Sequence, residues 1–474
     1  MTYHAMRSPV GRFIRRLVVA GLPAVLLLGV GCSDPFIPDY NNPKLPPVIP
    51  SQDQLQNQVI GLIGGDREQT AFFILVLETM GRDAYRIDAA DPRYIQMPLG
   101  TFSPGAFLVD FTWNSTYRTI LGAQLLAQGV EGSPAFTAQE KAAAQGFART
   151  IQGLEYIKLI ESRDSLGLPI TLGKETVDPI RCKPAVLTYI SALLDSAGTN
   201  LAAGGSTFPF TLPAGFAGFT TPATFLKFNR ALAAKVLVYR GFAAYKTVGN
   251  PVDAVQLNAA LTALDASFYS ITPATPANFR VGVYHTYSTS SGDLQNGNFD
   301  RSVIRANPKV LNESEAGDLR LSKIQQDPSY QKALPGNPPS AQSDIIFLNI
   351  TGPLTPLPII INEQLILMRA EALWGLNRDA EALVLINLIR QNSGGLLPRT
   401  LVSFGGNRLD ILREILKQKR YSLLFESGDR IVDYRMFGLY SELGMELQPP
   451  VPGPQVIPYP SAEINARGNN LTCS

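Results

Sequence analysis

The chain has 474 residues, 45% of them hydrophobic, and a formal net charge of +2. Its two histidines are His4 and His285, which excludes multi-histidine zinc sites and leaves one imidazole outside the N-terminal segment for any Ser-His-Asp triad. No block of like charge occurs, so a phosphate-tracking nucleic-acid surface is not expected.

Arg12, Arg15 and Arg16 lead into an apolar run, Leu17 to Val30, closed by Gly31-Cys32-Ser33. A membrane-crossing helix needs about 20 residues and a secretory core about 7–15. This run of 14, carrying Pro23, therefore reads as a bacterial lipoprotein signal over residues 1–31. Cys32 is expected to become the lipid-bearing first residue of the mature chain. The usual leucine three places before the cysteine is Gly29 here, with Leu28 one place further back, and an ordinary signal peptide with an incidental cysteine is the alternative. Cleavage removes four arginines and no acid, so the mature charge is −2.

Residues 32–50 follow as a proline-rich tether, with prolines at 35, 38, 43, 46, 47 and 50. Proline at that density favours extended geometry of about 3.1 Å per residue, which could hold a body on the order of 50 Å from a membrane. A globular body is then expected over residues 51–474.

From Ser51 apolar residues recur at helical spacing in Gln69–Met80, Trp113–Gln128, Ala138–Ser162, Ala185–Ala197, Pro222–Tyr245, Val252–Leu264, Asn362–Leu376, Asp379–Asn392 and Leu409–Phe425. The clearest pair joins Glu363–Trp374 through Gly375-Leu376-Asn377-Arg378 to a helix capped by Asp379 and stopped before Gly394-Gly395. Small residues, Ala370, Ala372, Ala380 and Ala382, alternate there with Leu373, Leu383 and Ile386, as in tetratricopeptide-type hairpins of about 34 residues. No strict period survives. The fold class predicted is all-α-dominated: a tetratricopeptide-like helical-pair scaffold with long irregular insertions at Gly81–Gly105, Gly198–Thr221, Tyr269–Leu357 and Leu439–Ser474.

Four stretches resemble the SusD/RagB family of outer-membrane nutrient-binding lipoproteins, a likeness running from Cys32 to the C-terminus. Trp113, Tyr117 and Ile120 are similar to the family's W-x3-Y-x2-I helix, followed by Leu166-Gly167-Leu168-Pro169-Ile170. Arg369-Ala370-Glu371-Ala372 with Asn377, Ala380 and Asn387-Leu388-Ile389-Arg390 resembles its helical hairpin. Glu426 to Arg435 resembles its E-G-x-R-x-x-D-x-x-R block, and Pro458 with Glu463-Ile464-Asn465-Ala466 its closing motif. Gln418, Ser422 and Arg467 stand where the family carries Glu, Glu and Asn. The resemblance implies a SusD-like fold and a non-enzymatic, surface-exposed outer-membrane lipoprotein. It would capture a nutrient, a glycan or oligosaccharide ahead of a peptide, and pass it to a SusC-like TonB-dependent transporter. No catalytic residue, metal or cofactor is expected. A secreted hydrolase on a helical scaffold and a protein-only interaction scaffold are the alternatives.

Candidate ligand residues come from the loops, where binding groups usually reside. The stretch Tyr284 to Asn296 combines flat rings with hydroxyls, amides and a carboxylate, which suits sugars and peptides alike, and Tyr284, Tyr287, Asp293 and Asn296 are singled out. Tyr85, Arg93 and Tyr94 form a second strip. Asp293 to Asp300 fails the calcium-loop spacing. Trp374 reads as core, Trp113 as either core or platform. Glu426, Arg430 and Asp433 read as charges tying a helix end to its neighbours. Cys182 and Cys473 are either a disulfide or two unrelated thiols.

Overall fold

The computed structural model describes residues 49–474 except 89, 100, 173–176, 246–249, 334–341, 445–455 and 469. The expected signal, Cys32 and the tether to residue 48 lie outside the described residues.

Helices in sequence pack on one another in turn. α1 spans Gln52–Met80, α2 Phe107–Gly132, α3 Ala138–Arg163, α4 Lys183–Ala202, α5 Pro222–Gly241 and α6 Ala254–Asp265. After a long insertion come α7 Asn362–Gly375, α8 Asp379–Asn392, α9 Arg408–Ser422 and α10 Asp429–Met436, then α11 Ser461–Arg467. Successive members from α2 to α6 are packed neighbours, as are α7 and α8. The helical-pair scaffold is therefore present. Close approach within it depends on small residues: a Cβ on Gly153 of α3 would lie 2.7 Å from Leu194 of α4.

α1 begins 17 residues before the expected start at Gln69, because Gly61, Gly64 and Gly65 dilute the apolar period there. A capping box marks the true start, with Ser51 and Gln54 satisfying each other's backbone N–H groups. Asp379 does not cap α8: Arg378 holds that position without a side-chain bond, Asn377 turns at φ +60°, and Asp379 instead accepts from Arg408 Nε at 2.8 Å. The Gly198–Thr221 segment, expected to be an irregular polar insertion, sends Phe208, Phe210 and Phe216 into a ring cluster with Phe147, Phe225 and Phe228.

The insertion after α6 is not structureless. It supplies most of the short strands, which pair antiparallel in twos: β1 (Ala84–Arg86) with β3 (Ile304–Ala306), β2 (Gly282–His285) with β8 (Leu357–Ile361), β4 (Ile324–Gln326) with β7 (Ile345–Phe347), and β5 (Lys332–Ala333) with β6 (Gln342–Ser343).

Buried ion pairs tie the helices across the core. Lys158 of α3 meets Asp66 of α1 and Glu155; Lys235 of α5 meets Glu161 and Asp429; Lys419 of α9 meets Glu371 of α7 and Asp433 of α10. Arg420 and Arg430 both reach Asp83, at 2.6 and 2.8 Å. Thus Arg430 and Asp433 do not pair with each other; each anchors α10 to a different neighbour. Cys182, at the N-cap of α4, is joined to Cys473 by a disulfide, and the chain end pairs alongside it through Ser474 N to Ile180 O at 2.9 Å.

Candidate functional site

β2 decides which side chains reach the surface. Strand alternation buries Val283 and His285 and turns Gly282 and Tyr284 the other way. A register shift between Val283 and Tyr284 sets Tyr284 opposite Pro358. Its hydroxyl donates to Arg280 O at 2.5 Å, which fixes the ring. Gly215 presses on the same strand so closely that a Cβ there would lie 1.9 Å from the Tyr284 carbonyl oxygen.

Between these parts opens a cavity of about 790 Å³, within the roughly 300–1,000 Å³ of small-molecule sites. Phe219, Phe268, Val281, Ile350 and Pro356 supply apolar walls, and Tyr284, Thr286, Thr224, Asn349, Lys227 and Arg280 supply polar groups. Glu426 closes the floor. Burial raises its carboxyl pKa, but Lys323 and Arg280 outweigh burial and hold it below the usual carboxylate range. Arg280 Nη1 donates to Glu426 Oε2 at 2.6 Å, and Lys323 Nζ lies 3.5 Å from Oε1. Apolar ring-sized walls with a few fixed donors suit a ligand that offers both C–H faces and acceptors.

No family model and no curated protein sequence matches the chain. Solved structures do match. A SusD superfamily protein from Bacteroides thetaiotaomicron aligns with TM-score 0.60 at 17% identity, covering 89% of this chain and 97% of its own. One from Bacteroides vulgatus gives TM-score 0.64 at 12% identity, with 90% and 99% covered. A SusD-like carbohydrate binding protein from Bacteroides vulgatus gives 0.59 at 15%, with 81% and 83% covered. The chain has the SusD-superfamily fold.

Within this SusD-like fold the candidate residues separate. Tyr284 lines the cavity; Tyr287, Asp293 and Asn296 do not. Tyr287 is 8% exposed and packs in the core beside Arg67, which corrects its expected place on a free loop. Asp293 is ion-paired with Arg67, folding the Thr286–Asp293 segment back onto α1. Asn296 is fully buried: its Nδ2 donates to Thr355 O at 2.9 Å and its Oδ1 accepts from Asn298 N, so it holds cavity-lining Thr355 in place. This corrects its reading as a ligand contact.

None of the second strip reaches the cavity. Tyr85 sits inside β1, its hydroxyl accepting from Asn307 Nδ2 at 3.0 Å, and is not accessible. Arg93 is exposed, pairs with Asp91 and lies 4.5 Å over the Phe107 ring. Tyr94 is half-buried beneath Arg86 at 3.8 Å and edge-on to Phe107. Trp374 is buried, its Nε1 donating to Arg408 O at 2.8 Å. Trp113 is nearly buried and only borders a separate groove of about 470 Å³.

Sequence reasoning missed Phe219, Phe268, Lys227 and Arg280. Each is an isolated residue in a different segment, and the local pattern carries no sign that they converge.

Proposed function

We propose that this protein binds a glycan in the cavity beside Tyr284 and performs no chemistry on it. The observation that carries the reading is the cavity itself, open to solvent, walled by Phe219, Phe268 and Tyr284 and rimmed by Lys227, Arg280 and Thr286, on a SusD-superfamily fold. One protein of that fold is described as carbohydrate binding. Residues 1–31 act as the lipoprotein signal, residues 32–50 as a tether from lipidated Cys32, and residues 51–474 as the binding body. No helix among the described residues is long and apolar enough to cross a membrane, so on this reading the acyl chains on Cys32 attach the protein to the outer membrane. The bound sugar then passes to a SusC-like TonB-dependent transporter.

Calorimetric titration of the purified chain against a panel of oligosaccharides tests this. Binding of at least one sugar is expected, weakened in Phe268→Ala by about 1 kcal/mol or more, with no product formed on long incubation. Turnover of the bound sugar would support the hydrolase alternative, and the absence of any sugar binding the protein-only scaffold.

A further inference from the structure

We infer that the cavity takes an acidic oligosaccharide, whose uronic-acid carboxylate is received by Arg280 and Lys227; this rests on the glycan reading above. The charges lining the cavity are unequal. Glu426 is the single carboxylate among the lining residues, and it is buried and held by both Arg280 and Lys323. It has no capacity left to balance a further cation.

Arg280 is only half committed. Its side chain is 38% exposed; Nη1 donates to Glu426 Oε2 and the Tyr284 hydroxyl lies against the same guanidinium, and among the described residues no second carboxylate meets the planar fork. That fork matches a carboxylate in a two-point arrangement. Lys227 is exposed on the cavity wall, and no carboxylate among the described residues pairs with it. Thr224 lies beside it one turn nearer the start of α5. With the one lining carboxylate already held, the two cations give the cavity a positive potential that a ligand carboxylate answers and a neutral sugar does not.

An acidic peptide offers the same charge, but the cavity gives it little backbone to pair with. β2 is hydrogen-bonded to β8 on one side and pressed by the Ala214–Phe216 turn at Tyr284, so no open strand edge is presented there for strand addition. Flat apolar walls at Phe219, Phe268 and Pro356 favour a ring face instead.

The test titrates the full chain with oligomers of galacturonate, guluronate-mannuronate and glucuronate-containing glycans. Each is paired with its carboxyl-reduced form, the same sugar without the charge. At least one acidic oligomer should bind about tenfold or more tightly than its reduced counterpart, as loss of a charge-assisted bond requires. Raising the ionic strength should narrow that gap, and Lys227→Gln, an exposed change that spares folding, should narrow it further. Equal binding of acidic and reduced forms, or binding of neutral sugars alone, overturns this inference and leaves the glycan reading standing. Binding of acidic peptides with no sugar bound in either form overturns the glycan reading as well.

Discussion

Arg280 and Glu426 lie 146 positions apart in sequence and meet at 2.6 Å, joining the segment that leads into β2 to the junction between α9 and α10. The wall of the cavity that carries Tyr284 is thereby fixed to the helical scaffold, and the floor carboxylate is fixed by the wall.

Because Glu426 is held below its ordinary pKa by Lys323 and Arg280 against the opposing effect of burial, its charge contributes stability above the unfolded pKa of about 4.3. That contribution is lost as pH falls below this range. Glu426→Gln should therefore melt earlier than wild type at neutral pH, by on the order of 2 kcal/mol. Thermal melts of the two proteins should converge on acidification below about pH 4.

Tyr284 and Tyr287 should fail differently. Tyr287→Ala empties a core position and should cost about 3 kcal/mol in denaturant melts, with or without ligand. Tyr284→Ala should instead lower glycan affinity by about 1 kcal/mol or more, with a smaller loss of stability. Calorimetry and urea titration of each variant separate the two effects.

Trp374→Ala removes a ring packed against Phe242, Tyr245 and Phe437 and orphans the Arg408 carbonyl. A loss of about 3–5 kcal/mol is expected from urea titration. Glycan affinity measured on the protein that remains folded should be unaltered, since Trp374 is not among the cavity-lining residues.

The Cys182–Cys473 bridge spans a separation of 291 residues, so the chain-entropy model gives it roughly 6 kcal/mol. Mass spectrometry of non-reduced peptides should find the linked pair, and Cys473→Ser should unfold at a lower urea concentration. Free thiols at both positions in exported protein would contradict the bridge.

Cys32→Ala should abolish incorporation of labelled lipid and release the protein from the membrane fraction. Retention of unlabelled mutant in that fraction would show that a partner, and not the acyl chain, holds the protein there.

The sequence's helical periods survive because the apolar positions of α3, α5, α7 and α8 are the ones packed in the core, on one face in α8 and nearly all round in α7, so local pattern and tertiary packing agree. They fail where glycine dilutes the pattern, in the first half of α1, and where isolated aromatics such as Phe208 and Phe210 leave an irregular segment for the core. The Tyr284–Asn296 stretch is polar enough to read as a binding loop, yet only its strand end reaches the cavity. Asn296 and Tyr287 are turned inward by contacts with Thr355 and α1 that composition does not encode.

What the sequence determined by itself was the class of scaffold, the likeness carried by its motifs and the expectation of an anchor at Cys32, all of them local patterns or fixed spacings. What only the tertiary structure decided was the site. Lys227, Phe268, Arg280, Ile350 and Glu426 come from five separate segments, and their convergence depends on long-range strand pairing and buried ion pairs whose partners no local window contains.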